Sequence, residues 1–173
     1  MPVPRARMCR PGSISSRPAS FAAWQTILRD NPFPTVHGRV CYHPCATRCN
    51  RAQLDSAISI HAVERYLGDM ATKQGWTPDK PAASTGKRIL VVGGGPSGLS
   101  AAYHLTRMGH DVEVREASPL TGGILHFGIP AYRLPRDILM AEIRRIKSIG
   151  AKITLKHAPV NDPARPRLEQ IGV

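Results

Sequence analysis

Acidic side chains, aromatic rings, long apolar runs and cysteine are all scarce in this sequence. Among 173 residues, 12 Asp and Glu face 24 Lys and Arg, a formal net charge of +12. Such an excess ordinarily points to nucleic acid, an anionic membrane surface or an acidic partner. Here the cations are scattered: Arg5, Arg7, Arg10, Arg17 and Arg29 precede the first acid, Asp30, and Arg144, Arg145, Lys147, Lys152, Lys156, Arg165 and Arg167 load the other end. Aromatic residues make up only 5% of the chain and do not interleave with either run, so both read as solvated faces and tails rather than a nucleic-acid surface. No apolar run approaches the roughly 20 residues that span a bilayer, and a soluble, cytoplasmic protein is expected. The opening "MPVPRARMCRPGSISSRPAS" lacks the apolar core of a secretory signal, although its Arg- and Ser-rich, acid-free composition is also that of an organelle transit peptide. Four cysteines without a secretory signal point to reduced thiols or metal ligands rather than a disulfide scaffold.

What is present divides the chain in two. Ser20 can cap a helix running to about Arg29, with Trp24, Ile27 and Leu28 recurring at helical spacing, and "DNPFP" stops it. Ser59 can cap a second helix in which Ile60, Val63, Leu67 and Met70 form one apolar stripe, ending before "KQGW". "TPDKPAASTG", residues 77–86, has the proline and small polar content of a linker. Beyond it, Ile89, Leu90, Val91 and Val92 are too continuous for a sheet with one wet face and predict a buried parallel strand. Residues 111–117 predict a second strand and 151–156 a third, with a helix striped by Leu139, Ile143 and Ile146 between them, stopping at Gly150.

Gly93, Gly95 and Gly98 fit G-x-G-x-x-G directly after the first strand and at the start of a helix, the context that gives the motif meaning. Gly93 permits the tight turn, Gly95 lets the backbone approach a pyrophosphate, and Gly98 lets helix and strand pack closely, helped by Ala101 and Ala102. The unpaired N–H groups and positive dipole end of the helix then face the phosphates. Glu116 closes the second strand about 20 residues on, where a carboxylate accepts hydrogen bonds from ribose hydroxyls. The pattern predicts adenine dinucleotide binding. The glycines alone leave FAD and a nicotinamide cofactor open, and Glu instead of Asp at the acidic position leans toward FAD.

These residues carry a resemblance. "DNPFPTVHGRVCYHPCATRCNRAQLDSAISIHAVERYLGD" and "GKRILVVGGGPSGLSAAYHLTRMGHDVEVREASPLTGGILHFGIPAYRLP" resemble, in order and separation, the iron–sulfur and FAD-binding segments of the small (beta) subunit of NADPH-dependent glutamate synthase. They also resemble the related N-terminal region of dihydropyrimidine dehydrogenase. "GRVC" with spaced cysteines and "GGxLxxGIPxYRLP" are far more specific than the glycine fingerprint. The resemblance implies a flavin that takes a hydride from NADPH, bound in a separate nicotinamide domain, and passes electrons singly through 4Fe-4S clusters to a partner subunit or domain. It carries FAD contacts to Gly93, Gly95, Pro96, Ser97, Gly98 and Glu116, and further to Gly123, Gly128, Ile129, Pro130 and Arg133. Arg133 would offset flavin or phosphate charge, or else be a surface arginine packed on Tyr132.

Soft iron–sulfur cores require several converging thiolates. By the resemblance, Cys41 and Cys45 match ligands of one cluster and Cys49 a ligand of its neighbour; His37 stands where many relatives have cysteine, and Cys9 is the remnant of a cysteine-rich N-terminal stretch. Glu64 occupies the position of an unusual glutamine ligand and either completes Cys9, Cys41 and Cys45 or is a helix glutamate paired with a nearby base. Zinc is the alternative metal, with His37 and His43 joining the cysteines, although four-residue spacing departs from the usual tight pairs. Pro44 argues against a regular helix through the cysteines. The expected fold is α/β: an irregular segment 1–19, a helical iron–sulfur module 20–76, a linker 77–86, and from 87 to 173 the first half of a Rossmann-like doubly wound FAD-binding domain, in a chain expected to be a fragment of the full family architecture. The competing expectation is a zinc-stabilised basic nucleic-acid-binding protein whose glycine loop only supports a turn.

Overall fold

The computed structural model describes residues 19–156. The expectations placed on residues 1–18, Cys9 among them, and on residues 157–173 lie outside the described residues. Five helical elements come first: α1 (Ala19–Ile27), α2 (Pro34–Val40), the single turn α3 (Pro44–Thr47), a 3-10 turn (Asn50–Gln53) and α4 (Ile60–Lys73). An alternation follows: β1 (Arg88–Val92), α5 (Pro96–Arg107), β2 (Asp111–Arg115), the short α6 (Ile124–Phe127), α7 (Arg136–Ser148) and β3 (Lys152–Thr154).

One full helix, α2, escapes the sequence reading, as do the short turns α3, the 3-10 segment and α6. The proline content around residue 32 reads as a stop, yet Pro34 opens α2 at a position where its missing N–H costs nothing. Asn31 Oδ1 accepts the Phe33 N–H at 2.9 Å and shapes that entry. α4 forms where predicted, but its stripe is split: Leu67 is buried, whereas Ile60 and Val63 are about half exposed. α4 packs across α2. There the backbones approach so closely that a Cβ on Gly68 would lie 2.2 Å from Thr35 Oγ1, and one on Gly38 2.5 Å from Arg65 Cβ. A glycine on each helix makes this crossing feasible.

The strands pair in parallel in the order β1-β2-β3, with Ile89 opposite Val112 and Val91 opposite Val114. Val112 and Val114 are buried, and Val91 faces α5, where its Cγ1 would lie 3.3 Å from a Cβ on Gly98. The opposite face corrects the expectation of a strand buried on both sides: Leu90 is 37% and Val92 55% exposed. Among the described residues that face is a charged surface, with Arg115 bridging Glu113 at 2.7 Å and Lys152 bridging Asp111 at 3.0 Å, and no layer covers it. An apolar run reports what a strand can bury, whereas the second covering layer has to come from other elements.

The helical and α/β halves share one core. Phe21, Trp24, Val36 and Leu67 belong to the same buried cluster as Leu99, Tyr103, Val114, Leu139 and Ile146. A polar lock secures the junction. Glu142, fully buried on α7, accepts the Thr35 N–H of α2 at 3.0 Å and is ion-paired with Arg145. Arg145 also donates to the Pro32 carbonyl at 3.3 Å and lies over the Trp24 ring, 5.4 Å from its centroid. Burial lowers the Arg145 guanidinium to about 10, which leaves it charged at neutral pH. Residues 77–86 are pinned rather than loose: Ala82 N–H donates to Arg107 O and Thr85 N–H to Gly109 O, each at 3.0 Å.

Candidate functional site: a glycine cradle beside a cysteine segment

The cradle is built from β1, α5 and the loops they meet. After β1, Gly93 turns the chain at φ +99, a conformation that only glycine adopts freely. Gly95 caps α5 in extended conformation with Pro96 as the first helical residue, so the helix starts with its first N–H groups unclaimed. A Cβ on Gly98 would lie 1.9 Å from Gly93 O, so helix and turn are in contact. A Cβ on Gly95 would meet only Gly123 Cα, at 4.0 Å. Gly98 is thus required by the fold, whereas the space above Gly95 is open to a ligand.

Glu116 lies just past β2 and is 9% exposed. Its Oε2 accepts the Gly94 N–H at 2.5 Å and its Oε1 the Ser118 N–H at 2.8 Å. Burial pushes its carboxyl up, but donation from the Ser118, Gly94 and Ala117 N–H groups outweighs this and leaves it below the ordinary value. The expected ribose acceptor therefore also braces the glycine turn, and each oxygen keeps a second lone pair. Gly122 N–H donates to Gly94 O at 2.8 Å, and a Cβ on Gly123 would lie 2.9 Å from Gly95 Cα, so the loop before α6 seats directly on the cradle.

The loop beyond α6 is held by a residue that the sequence reading passed over. Arg136 donates to three carbonyls, Leu125 at 3.1 Å, Leu134 at 3.2 Å and Ile129 at 2.7 Å. Gly128, Ile129 and Pro130 lie in the stretch so tied. The available signal was electrostatic: a cation opening α7 opposes the helix dipole, so an arginine there is held by other contacts. Arg133, from the same loop, lines a cavity of about 390 Å³ together with Arg39, Cys41, His43, His61 and Arg65.

Cys41 ends α2 exposed, and its Sγ accepts the His43 N–H at 3.2 Å. His43 adopts φ +44, which turns the chain into α3, and its ring stacks on His61 with centroids 4.3 Å apart. Cys49 lies beyond α3; N–H donation from Ile58, Arg51 and Ala52, with the Arg51 charge, holds its thiol below the ordinary value despite the opposing effect of desolvation. Backbone N–H groups aimed at sulfur favour the thiolate, the form that ligates a soft metal. Among the described residues, no three His, Cys, Asp or Glu side chains gather closely enough to hold a metal ion. Cys41, Cys45 and Cys49 are all free, and Glu64 turns instead to Asn31, whose Nδ2 donates to it at 3.1 Å. His37 lies near Glu64, lowered by burial with a smaller opposing effect of that carboxylate. The described residues thus supply individual sulfur donors but not a closed ligand set.

A helical cysteine module that shares its core with a glycine-loop β-α-β unit defines an iron–sulfur and dinucleotide-binding protein. Residues 14–76 match the family of dihydropyrimidine dehydrogenase domain II, 4Fe-4S cluster, and residues 91–128 match an NAD(P)-binding Rossmann-like domain. Over these segments the chain is similar to the glutamate synthase small chain and to a subunit of dihydropyrimidine dehydrogenase. It is 40% identical over 142 residues to the beta subunit of NADP(+)-dependent formate dehydrogenase of Moorella thermoacetica, covering 69% of this chain and 20% of that protein. It is 39% identical over 129 residues to the small chain of glutamate synthase [NADPH] of Bacillus subtilis, covering 74% and 26%. It is 36% identical over 133 residues to the PreT subunit of NAD-dependent dihydropyrimidine dehydrogenase of Salmonella typhimurium, covering 76% and 32%. The chain therefore spans a fifth to a third of the length of these relatives. All three are oxidoreductase subunits, which favours the redox expectation over the nucleic-acid one.

Proposed function

We propose that this chain is the flavin and iron–sulfur portion of an NAD(P)H-linked electron-transfer oxidoreductase. In this reading residues 20–76 form the iron–sulfur module, 77–86 the linker and 87–173 part of the FAD-binding domain, preceded by the segment 1–19. The observation that carries it is the open position at Gly95, at the start of α5 and next to the Gly94 N–H that Glu116 holds, in a unit whose core is continuous with that of the helical half. Bound FAD supplies the conversion of a two-electron hydride into single electrons. Gly93, Gly95, Pro96, Ser97 and Gly98 present backbone and helix N-terminus to its pyrophosphate, and Glu116 accepts from its ribose. Gly123, Gly128, Ile129 and Pro130 shape the adjoining loop, which Arg136 ties down.

Cys41 and Cys45, with Cys9, are assigned to one cluster and Cys49 to a second, while Glu64, hydrogen-bonded to Asn31, is the helix glutamate of the other reading. NADPH would bind in the nicotinamide domain of the full-length architecture, and the electrons would leave to an accepting subunit comparable to the glutamate synthase large subunit, in the cytoplasm. Anaerobic purification tests the reading through bound flavin, iron and acid-labile sulfide. Serine at Cys41 and Cys45 is expected to lower iron while sparing flavin, and unchanged iron removes those two residues from the ligand set. Protein that carries zinc, takes up no flavin and binds DNA with strong salt dependence sinks the proposal.

A further inference from the structure

The stretch from α6 to the start of α7 is anchored at two points and bare between them. Leu125 and Leu134 are buried, whereas Phe127 is 59% and Tyr132 90% exposed. Its backbone hydrogen bonds are short-range. The Gly128 and Ile129 N–H groups donate to Ile124 O at 2.9 and 3.0 Å, and those of Arg133 and Leu134 donate to Pro130 O at 3.0 and 3.1 Å. These bonds close two separate turns without fixing how one faces the other. Arg136 supplies that link: its Nη2 donates to Ile129 O of the first turn and its Nη1 to Leu134 O of the second, with Leu125 O as a third acceptor. Ile129 and Leu134 each precede a proline, so neither of these peptides has an N–H that could tie the loop from its other side. Among the described residues no carboxylate lies within ion-pair distance to draw the guanidinium away. A planar fork with fixed donor directions holds three carbonyls in one arrangement, which a single flexible ammonium cannot do.

We infer that Arg136 is a positioning residue for the flavin: its fork fixes the loop from Ile124 to Leu134 in the arrangement that receives the cofactor beside the glycine cradle. The inference rests on the flavin reading above and adds to it a residue that acts on the cofactor through Gly128, Ile129 and Pro130. The loop borders the cradle because Gly123, whose Cβ would lie 2.9 Å from Gly95 Cα, immediately precedes α6. Without the fork the two turns sample arrangements that do not hold the ligand. The apparent dissociation constant then rises by the inverse of the fraction of molecules in the competent one.

The test uses the full chain, stripped of flavin and titrated with FAD, as wild type, Arg136→Met and Arg136→Lys, with the melting temperature of each apoprotein recorded. Arg136→Met should bind FAD about tenfold more weakly, the factor for a loop that keeps its competent arrangement about a tenth of the time. The visible circular dichroism of the flavin it does bind should be weaker than in wild type. Arg136→Lys keeps the charge but gives up the fork, and should fall between the two. In the apoproteins, chymotrypsin should cut after Phe127 and Tyr132 faster in Arg136→Met than in wild type, with cleavage elsewhere unchanged. Should Arg136→Met not fold, Arg136→Lys carries the same comparisons. FAD held as tightly as by wild type, with the same dichroism, overturns the positioning role and leaves the flavin reading standing. Cleavage indifferent to residue 136 overturns it as well, and so does a loss of affinity that comes with a lower melting temperature and faster cleavage along the whole chain. Wild-type protein that takes up no FAD removes the flavin reading, and with it the ligand of this loop, whatever the cleavage pattern.

Discussion

Replacing Glu142 with leucine tests the account of how the two halves are joined. Its carboxylate is fully buried and holds the Arg145 guanidinium and the Thr35 N–H. Leucine of similar volume leaves a charged guanidinium, itself only 8% exposed, with the Pro32 carbonyl and the Trp24 ring as its remaining contacts. Breaking one side of a buried pair costs about 3–5 kcal/mol, and the orphaned Thr35 N–H pushes the value toward the upper end. Against a total stability of about 5–15 kcal/mol this is about a fifth or more. With a urea dependence of about 2 kcal/mol/M, the unfolding midpoint should drop by about 1.5–2.5 M. Removing both charges, Glu142→Leu with Arg145→Met, abolishes the buried unpaired cation and should recover at least half of that loss. A single variant whose midpoint moves by less than about 0.5 M, or a double variant weaker than the single, refutes the reasoning.

Two glycine substitutions should separate fold from ligand. Gly98→Ala places a Cβ against Gly93 O and should lower the melting temperature by more than Gly95→Ala, whose Cβ enters open space at the helix cap but stands where the pyrophosphate approaches and should weaken flavin retention; flavin held as tightly by Gly95→Ala as by wild type disproves the cradle. Glu116, held below its ordinary value of 4.5, contributes stability that is present in full above that pH and is lost as pH falls through its lower folded pKa. Unfolding midpoints measured from neutral pH down to about pH 3 should therefore fall more steeply in wild type than in Glu116→Gln, and parallel curves would remove the brace assigned to this carboxylate. Gly109→Ala, at φ +88 and with a Cβ 2.1 Å from Ala83 O, should release residues 82–85 from α5, read as faster proteolysis in that segment; unchanged cleavage contradicts the pinning.

Much of the fold was legible because local patterns carry it. Gly93 to Gly98 after four apolar residues announced strand, turn and helix, Gly150 with φ +118 marked the end of α7, and the stripe of Leu139, Ile143 and Ile146 is buried as its spacing required. α2 was missed because Pro34 signals a stop and a first helical turn equally well, and only Asn31 folding back on Phe33 decides between them. Ile60 and Val63 repeat at the spacing of Leu67 but find no covering layer among the described residues, so an identical pattern stays half exposed. The cysteine spacing marked candidate donors, but which side chains they meet depends on how the chain turns through α3 and the 3-10 segment.

The sequence by itself determined the cradle, since a tight turn, a close approach and a helix start are demands on single residues and their immediate neighbours. Only the tertiary structure decided what lies between the halves. Glu142 and Arg145, three residues apart, would read as an ordinary surface pair on any exposed helix; the docking of α2 removes water from them and turns the pair into a lock. Arg133 and Cys41 stand 92 positions apart in the chain and share a cavity because the two halves fold into one core. Burial and long-range charge are properties of the packed molecule, and no local pattern encodes them.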